Sequence, residues 1–447
     1  MVNMSGEFII FLIYAVPLLL IIGYYFLNRK KEHYSNQKFL LQAQKDNLTE
    51  PSSLHPIVEH AKCLGCGSCV SACPEKNVLG LIDQKAHLIN PTNCIGHGAC
   101  KISCPYNAIT LVFGTAKRGI DIPEVDPNFQ TSVQGLFIAG ELGGMGLIKN
   151  AIEQGKQAMH SIDKALKVKF KNTAENTASK MIDCVIIGAG PAGISASLAA
   201  KELNISVVTI DQETIGGTVS HFPRGKLVMT SPAYLPLYGK VKFNEISKEK
   251  LLSFWLDLIE KYSLQINQNE AMTDVIRHDD GSFTIQSSKT EYHTKTVLLA
   301  VGRRGTPRKL GVKGEHLTKV LYRLIDPQQY VNEDILIVGG GDSALEAACS
   351  IAELGNCRVS LSYRNDNFNR AKQKNRERVN NLVNSGNLTL YLSSQVDEIK
   401  KDEVLLKTQD KCLSIHNSVV IVCAGGVLPT PFLKKLGIEV ATKYGTV

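Results

Sequence analysis

Seven of the chain's twelve cysteines lie between Cys63 and Cys104, in a ladder that leaves that stretch few ways to fold. The first run is Cys63, Cys66, Cys69 and Cys73, then Pro74, which reads C-x2-C-x2-C-x3-C-P. The second run, Cys94, His97, Cys100 and Cys104, then Pro105, repeats it with a histidine in place of one cysteine. Thiolates three residues apart on a Gly-containing loop can each take one corner of a cubane. This is the spacing of bacterial iron–sulfur sites, where the fourth cysteine is carried onward to the other cluster. Cys63, Cys66, Cys69 and Cys104 are therefore expected to hold one 4Fe–4S cluster. Cys73, Cys94 and Cys100 are expected to hold the second. His97 is then a fourth ligand, the neighbour of an open corner, or the mark of a 3Fe–4S species. Zinc sites use cysteine pairs, and a disulfide framework needs an oxidising compartment; neither explains a ladder ending in Cys-Pro.

Residues 56–112 resemble a two-cluster ferredoxin, and His97 is the departure from that pattern. Imidazole in place of thiolate raises the potential of Rieske centres, so the second cluster is expected to sit higher than the first.

At 447 residues the chain has room for several domains with their own cores. With 44% apolar and 21% charged residues it is ordinary globular material, not a disordered chain. The net charge of +8 is mild, and no aromatic-interleaved basic stripe points to nucleic acid. Such an excess suits an anionic membrane surface or an acidic redox partner. Phe8 to Leu27 carries no charge and is long enough to cross a bilayer as a helix, with Pro17 inside it. Arg29, Lys30 and Lys31 follow it, while Glu7 precedes it. The positive-inside rule then predicts a single-pass protein of the cell inner (cytoplasmic) membrane, with its catalytic part in the cytoplasm. A cleaved signal peptide would want a basic start and a small-residue cleavage site, and neither is present. Residues 28–55 read as a juxtamembrane helix or tether.

Further on, a short apolar strand, Ile182 to Ile187, runs into Gly188-Ala189-Gly190-Pro191-Ala192-Gly193 and an Ala-rich stretch. Strand, G-x-G-x-x-G and helix together form the dinucleotide fingerprint. Gly188 makes the turn, Gly190 admits a pyrophosphate, and Gly193 lets helix pack on strand. The helix N-terminus favours the phosphates. A second strand, Ile205 to Ile210, ends in Asp211, placed to accept from a ribose hydroxyl. A second copy follows: strand Ile335 to Val338, then Gly339-Gly340-Gly341-Asp342-Ser343-Ala344, a G-x-G-x-x-A loop. Its next strand, Arg358 to Ser362, leads into Tyr363-Arg364, with Arg370 and Lys372 beyond and no acid at the strand end. Arginines attract a 2′-phosphate where a carboxylate would repel it, so NADPH is expected over NADH; a solvated basic loop is the plainer alternative.

These two Rossmann-like units, with the crossover Ala300-Val301-Gly302-Arg303-Arg304-Gly305-Thr306-Pro307 after the first, resemble the thioredoxin-reductase-like pyridine nucleotide flavoproteins. The resemblance implies FAD on Gly188, Gly190, Gly193 and Asp211, and NADPH on Gly339, Gly341, Ala344, Arg364 and Arg370. Gly217 and Thr218, after Asp211, are implied to lie against the flavin, and Gly302 to border it. The family also has a last strand ending in Gly-Asp, whose carboxylate holds the ribityl chain. The C-terminal stretch up to Val447 contains no such strand. Its counterpart lies upstream, in Thr131-Ser132-Val133-Gln134-Gly135-Leu136-Phe137-Ile138-Ala139-Gly140-Glu141, with Glu141 for Asp. A helix over about 147–166 would then aim its positive end at the flavin. The flavoprotein part thus looks circularly permuted, which predicts that residues near Val447 lie near residues 112–125.

The fold class expected is α/β, with two dinucleotide-binding domains, a small α+β ferredoxin domain and one N-terminal transmembrane helix. The divisions are 8–27 for the span, 28–55 for the juxtamembrane part and 56–112 for the ferredoxin. The permuted FAD segment takes 113–168, a linker 169–180, the FAD domain 181–315, the NAD(P)H domain 316–427, and 428–447 returns to the FAD domain.

No C-x-x-C occurs after Cys104, so the disulfide chemistry of thioredoxin reductases is not expected; Cys349 and Cys357 are not in an active spacing. Cys184, Cys412 and Cys423 read as core residues. A dithiol-free member resembles the ferredoxin–NADP reductases of the same fold. The function expected is an iron–sulfur flavoprotein oxidoreductase passing electrons between NADPH, FAD and two clusters, to or from a redox partner protein or quinone. Ferredoxin-driven reduction of NADP+ and a non-catalytic redox sensor are the alternatives, and a homodimer is left open. No acid–base residue is required, because hydride and electron transfer belong to the cofactors.

Overall fold

The computed structural model describes residues 4–45, 48–51, 54–75, 77–116, 118–144, 146–169, 181–222, 224–229, 232–241, 243, 245–303, 305–408 and 411–445. Beyond its first residue, the linker expected over 169–180 lies outside them, as does Arg304. The chain forms two compact units, 1–112 and 113–446.

In the first unit, helix Met4–Lys45 runs for 42 residues, through Pro17. It holds an 18-residue window of mean hydropathy 1.9, none of it buried, and is long and apolar enough to cross a bilayer. The polar stretch after residue 28 continues the same helix to Lys45. His33, Asn36, Phe39, Leu40 and Ala43 are partly or fully buried and cluster toward one helical face, while the remaining residues from Lys31 to Lys45 are exposed. That face rests on a hairpin, strand Leu79–Ile82 paired antiparallel with Lys85–Leu88. Asp83 and Gln84 make its two-residue turn, both at positive φ (48° and 57°), the backbone of a type I′ hairpin. Asn36 Nδ2 donates to the Leu81 carbonyl at 3.1 Å, and the Asp83 N–H donates to His33 Nδ1 at 3.2 Å. Gly80 makes the contact possible: a Cβ there would stand 2.6 Å from the Asn36 amide carbon. Strands His55–Val58 and Ile109–Val112 close the domain as an antiparallel pair. Its core mixes Val78, Leu79, Ala86, Ala108 and Ile109 with the buried thiols of Cys63, Cys69, Cys94 and Cys100.

The second unit is built on two sheets. In the first, Ile266–Asn267, Val207–Ile210, Ile182–Ile187 and Glu291–Leu299 lie parallel in that order. Strands Phe283–Ser287 and Met272–Arg277 extend it antiparallel. Leu136–Ile138, from far upstream, pairs parallel with Val297–Leu299 on the free end of that edge. Leu136 and Ile138 enter the same core as Val185, Ile187 and Leu299, joined from the C-terminal end by Leu433 and Ile438, while Phe137 joins Cys184, Ile186 and Leu298 in another. Strand Val440–Lys443 pairs antiparallel with Ile120–Pro123, so the C-terminal region lies against residues 120–123 as the rotated chain order predicts. Helix Ile148–Lys169 packs on helix Pro191–Glu202, where Ser195 Oγ donates to the Ile152 carbonyl at 2.7 Å.

The second sheet is wholly parallel, in the order Val320–Leu321, Val419–Val422, Asp334–Val338, Arg358–Ser362, Leu388–Tyr391. Helices Asp342–Ala352 and Gln373–Asn384 accompany it, with an antiparallel three-stranded sheet, Gln395–Ile399, Glu403–Lys407 and Cys412–His416. The short pair Thr306–Pro307 and Gly426–Val427 carries the chain between the two halves.

Candidate cluster cages and dinucleotide loops

The two cysteine runs build the same loop twice. Gly65 and Gly67 in the first (φ 67° and 81°) match Gly96 and Gly98 in the second (both 77°). Each loop turns through the left-handed region that favours glycine, then enters a short helix, Ser68–Ala72 or Ala99–Ile102. These helices exchange ligands. Ser68–Ala72 carries Cys69 and is capped by Cys73; Ala99–Ile102 carries Cys100 and leads to Cys104.

Two cavities result. Cys63, Cys66, Cys69 and Cys104 line one, with Leu81, Ala86, Tyr106 and Ile109. Cys73, Cys94, His97 and Cys100 line the other, with Pro56, Glu75, Val78, Leu79 and Leu111. Among the described residues, no three His, Cys, Asp or Glu side chains converge as a single metal ion would require. The thiols ring a space instead, which suits a polynuclear cluster. Burial pushes the Cys69 and Cys100 thiols up to about 11, Cys69 with added repulsion from Cys63 and Cys100. Loading such a cage therefore releases protons. Backbone N–H groups already address the sulfurs: Ala86 donates to Cys63 and Ala108 to Cys104, each at 3.4 Å. Hydrogen bonds of this kind tune cluster potentials. The residue that sequence reasoning missed is Glu75, in the second cavity. The signal was available: Glu75 follows Cys73-Pro74 as Tyr106 follows Cys104-Pro105, and Tyr106 lines the first cavity.

At the first glycine loop, Gly188 sits at φ 110°, and a Cβ on Gly193 would lie 1.8 Å from the Gly188 carbonyl oxygen. Gly190 caps helix Pro191–Glu202. Asp211 is 9% exposed. Its Oδ2 accepts from the Ala189 N–H at 2.6 Å and its Oδ1 from the Glu213 N–H at 2.8 Å. Burial raises this carboxyl, opposed by those two N–H groups. The turn Gly217–His221, carrying Thr218, begins opposite Gly190: a Cβ on Gly217 would stand 3.1 Å from the Gly190 Cα. Gly140 comes to the same place from upstream. Its N–H donates to Gln154 Oε1 at 2.9 Å, and a Cβ on it would stand 3.0 Å from the Ala192 Cβ. Glu141 follows; burial raises its carboxyl, and the positive charge of Arg303 opposes the rise. Arg303 Nη2 also donates to the Asp121 carbonyl at 3.2 Å. Gly302, at φ 67°, has open space where a Cβ would go.

At the second loop, Gly339 lies against the chain, with a Cβ position 2.4 Å from the Cys423 carbonyl oxygen. Ala344 is fully buried, and Gly341, cap of helix Asp342–Ala352, has open space above it. The ring of Tyr363 lies over Gly340, 2.2 Å from where a Cβ would be, and stacks on Phe368 at 5.4 Å. Asp342 Oδ1 accepts from the Lys372 N–H at 2.8 Å and from Asn375 Nδ2 at 2.7 Å, tying the basic loop to the glycine turn. Arg364 and Arg370 are exposed on that loop. Cys184 and Cys349 are fully buried, their thiols pushed up to about 12 and about 11 by desolvation.

The family model for pyridine nucleotide-disulphide oxidoreductases matches residues 185–446, more than half of the chain. The chain belongs to the pyridine nucleotide-disulphide oxidoreductase family. A 4Fe-4S dicluster domain model matches residues 55–105. Among similar proteins, bacilliredoxin reductase Bdr of Bacillus subtilis (strain 168) is 26% identical, over 58% of this chain and 82% of its own. A ferredoxin–NADP reductase of Acholeplasma laidlawii is 30% identical, over 58% of this chain and 78% of its own. The solved bacillithiol disulfide reductase Bdr (YpdA) from Staphylococcus aureus shares the fold, with a TM-score of 0.52 and 24% identity over 59% of this chain and 84% of that one. This family member is thus an enzyme, an iron–sulfur-containing flavin oxidoreductase related to ferredoxin–NADP reductases and to bacilliredoxin reductase.

Proposed function

We propose that this family member is a membrane-anchored oxidoreductase that moves electrons between NADPH and a redox partner, a quinone or a protein, through FAD and two iron–sulfur clusters. The observation that carries the reading is the pair of four-residue cages, built on the same chain as two glycine loops that lack a companion dithiol. When bound, FAD converts between hydride and single electrons, and clusters conduct the latter. The protein's part is to hold and to tune. Gly188, Gly190 and Gly193 cradle the FAD pyrophosphate, Asp211 accepts from its ribose, and Glu141 accepts from the ribityl chain. Gly339, Gly341 and Ala344 take the NADPH pyrophosphate, with Arg364 and Arg370 at the 2′-phosphate. Cys63, Cys66, Cys69 and Cys104 take one cluster; Cys73, Cys94 and Cys100 take the other.

Disulfide reduction is not part of the proposal, since Cys349 and Cys357 are not in an active spacing and Cys349 is buried, its thiol pushed up to about 11 by that burial. The membrane part of the proposal rests on the unburied apolar window in helix Met4–Lys45 and on the basic residues Arg29 to Lys31 that follow it.

Anaerobic titration of the purified protein with NADPH, and separately with NADH, tests the reading by absorbance and low-temperature EPR. Flavin bleaching followed by cluster signals, at lower concentrations of NADPH than of NADH, is the expected outcome. Flavin reduction without cluster signals would favour electron entry through the ferredoxin-like unit and reduction of NADP+. No flavin response to either nucleotide would overturn the proposal.

A further inference from the structure

His97 occupies, in the second cage, the loop position that Cys66 occupies in the first. The two loops have the same glycine positions and nearly the same backbone turns, so a ligand is expected at that corner. The hydrogen bonds of the ring point elsewhere. The Ala99 N–H donates to His97 Nδ1 at 3.2 Å. A backbone N–H can only donate, so Nδ1 presents its lone pair there, and a neutral ring carries its proton on Nε2. That Nε2 lies 3.7 Å from Cys73 Sγ. A histidine that ligates through one ring nitrogen almost always donates the other N–H to a carbonyl, carboxylate or water. His97 has the reverse: its second nitrogen meets a donor, and its protonated nitrogen faces a ligand sulfur. Atoms bound to different irons of one cubane also stand well beyond hydrogen-bond distance of each other, which Nε2 and Cys73 Sγ do not.

We infer that His97 donates a hydrogen bond to the Cys73 thiolate and ligates no iron, so that the second cluster hangs on Cys73, Cys94 and Cys100 with its fourth iron open to a small exogenous soft anion, a thiolate or cyanide. This rests on the cluster reading above and adds a small-ligand site to it. His97 is a positioning residue. The Nε2–H withdraws charge from one ligand sulfur, while the corner that Cys66 closes in the first cage stays exchangeable in the second. Glu75, the other polar side chain lining this cavity, is then a neighbour of the open corner and not its occupant.

The test uses the full chain, reconstituted anaerobically with iron and sulfide and reduced with dithionite. EPR spectra with and without cyanide are compared for wild type, His97→Ala, His97→Cys and Glu75→Gln. The expected result is two cluster signals, one of which cyanide shifts in wild type, His97→Ala and Glu75→Gln alike. In His97→Cys, where a fourth thiolate closes the corner, cyanide shifts neither. Ferricyanide gives a second readout. A [4Fe–4S]2+ cluster with an open corner gives up one Fe2+ and one electron to that oxidant, leaving [3Fe–4S]+. One such conversion per chain is expected in wild type and His97→Ala, and none in His97→Cys. A cyanide shift that appears only once His97 is removed, or a directly bound nitrogen in pulsed EPR, would overturn the inference and make His97 the ligand. A spectrum changed by Glu75→Gln would overturn it in favour of a carboxylate corner. Two cluster signals with no cyanide effect in wild type sink this inference alone, whereas protein that takes up no iron sinks the cluster reading beneath it.

Discussion

Asp211 ends strand Val207–Ile210 with both carboxylate oxygens engaged by backbone N–H groups, Ala189 on one side and Glu213 on the other. The glycine turn is therefore braced by the residue proposed to meet the ribose. Burial raises its carboxyl above the ordinary value of about 3.9. For a group raised in the folded state, the stabilising contribution is full below the unfolded value. It is lost as pH rises through the folded value. Denaturant midpoints of FAD-free protein should accordingly fall as pH rises from about 4 through the raised value, and Asp211→Asn should flatten that fall. A hydrogen bond to a charged group contributes about 1.5–3 kcal/mol, so the same substitution should weaken FAD binding about 10- to 100-fold, measured by flavin fluorescence. Arg364 makes the parallel case at the other loop. Removing it as Arg364→Ala should raise the KM for NADPH about tenfold or more and leave that for NADH nearly unchanged, because only NADPH carries the 2′-phosphate. Steady-state kinetics with both nucleotides decides. The residue types at these positions were legible in the sequence. Tyr363 lying over Gly340 was not, because it depends on where a neighbouring loop brings its side chain.

Among the elements, helix Met4–Lys45 joins two environments in one rod. From Phe8 to Leu27 it carries no charge; its last part has a partly buried seam, His33, Asn36, Phe39, Leu40 and Ala43, and His33 and Asn36 hydrogen-bond to the hairpin 79–88. Lys85 and Ala86 of that hairpin reach back to Cys63: the Lys85 ammonium donates to its carbonyl at 2.6 Å, and the Ala86 N–H donates to its sulfur. A continuous path of packed elements thus links the apolar helix to the first cage. Ala43→Glu buries a charge in that seam and should free the helix from the hairpin. Limited proteolysis should then cut faster near residues 45–55, while membrane fractionation stays unchanged. Equal cutting in variant and wild type would show that the seam contributes little. Polar composition alone left residues 28–55 open between helix and tether, since a narrow seam among Lys, Gln and Asn is too weak a periodic signal without its docking partner.

Across the whole second unit, the chain order and the spatial order disagree. Leu136–Ile138 fills an edge of a sheet whose other parallel strands begin at Ile182, and Val440–Lys443 pairs with Ile120–Pro123. A permuted flavoprotein of this kind should tolerate having its order restored. A chain in which residues 181–447 are followed by 113–168 should still fold and bind FAD, read by flavin absorbance after gel filtration. Failure of that chain to retain flavin, when the natural order does, would mean that the upstream segment needs its place before Ile182. Ion pairs between the two halves of this unit, Lys226 with Glu346 at 2.8 Å and Arg323 with Glu213 at 2.9 Å, were invisible in the sequence, their members being 120 and 110 positions apart.

The cysteine ladder, the two glycine loops and the apolar N-terminal run are local patterns, and local patterns determine local chemistry. Spacing of three residues decides which thiols share a loop, and a strand–glycine–helix sequence decides where a pyrophosphate meets backbone N–H groups. The sequence by itself therefore determined which loops carry the cysteines and the glycines. The tertiary structure decided the rest, because pairing and packing act between distant segments. It brought Gly140 and Glu141 to a loop some fifty residues downstream and set the terminal strand beside residues 120–123. It also turned the His97 ring so that Nδ1 meets the Ala99 N–H and Nε2 meets Cys73. Which nitrogen of a histidine holds its proton is set by the hydrogen bond on the other, and only the folded loop supplies that bond.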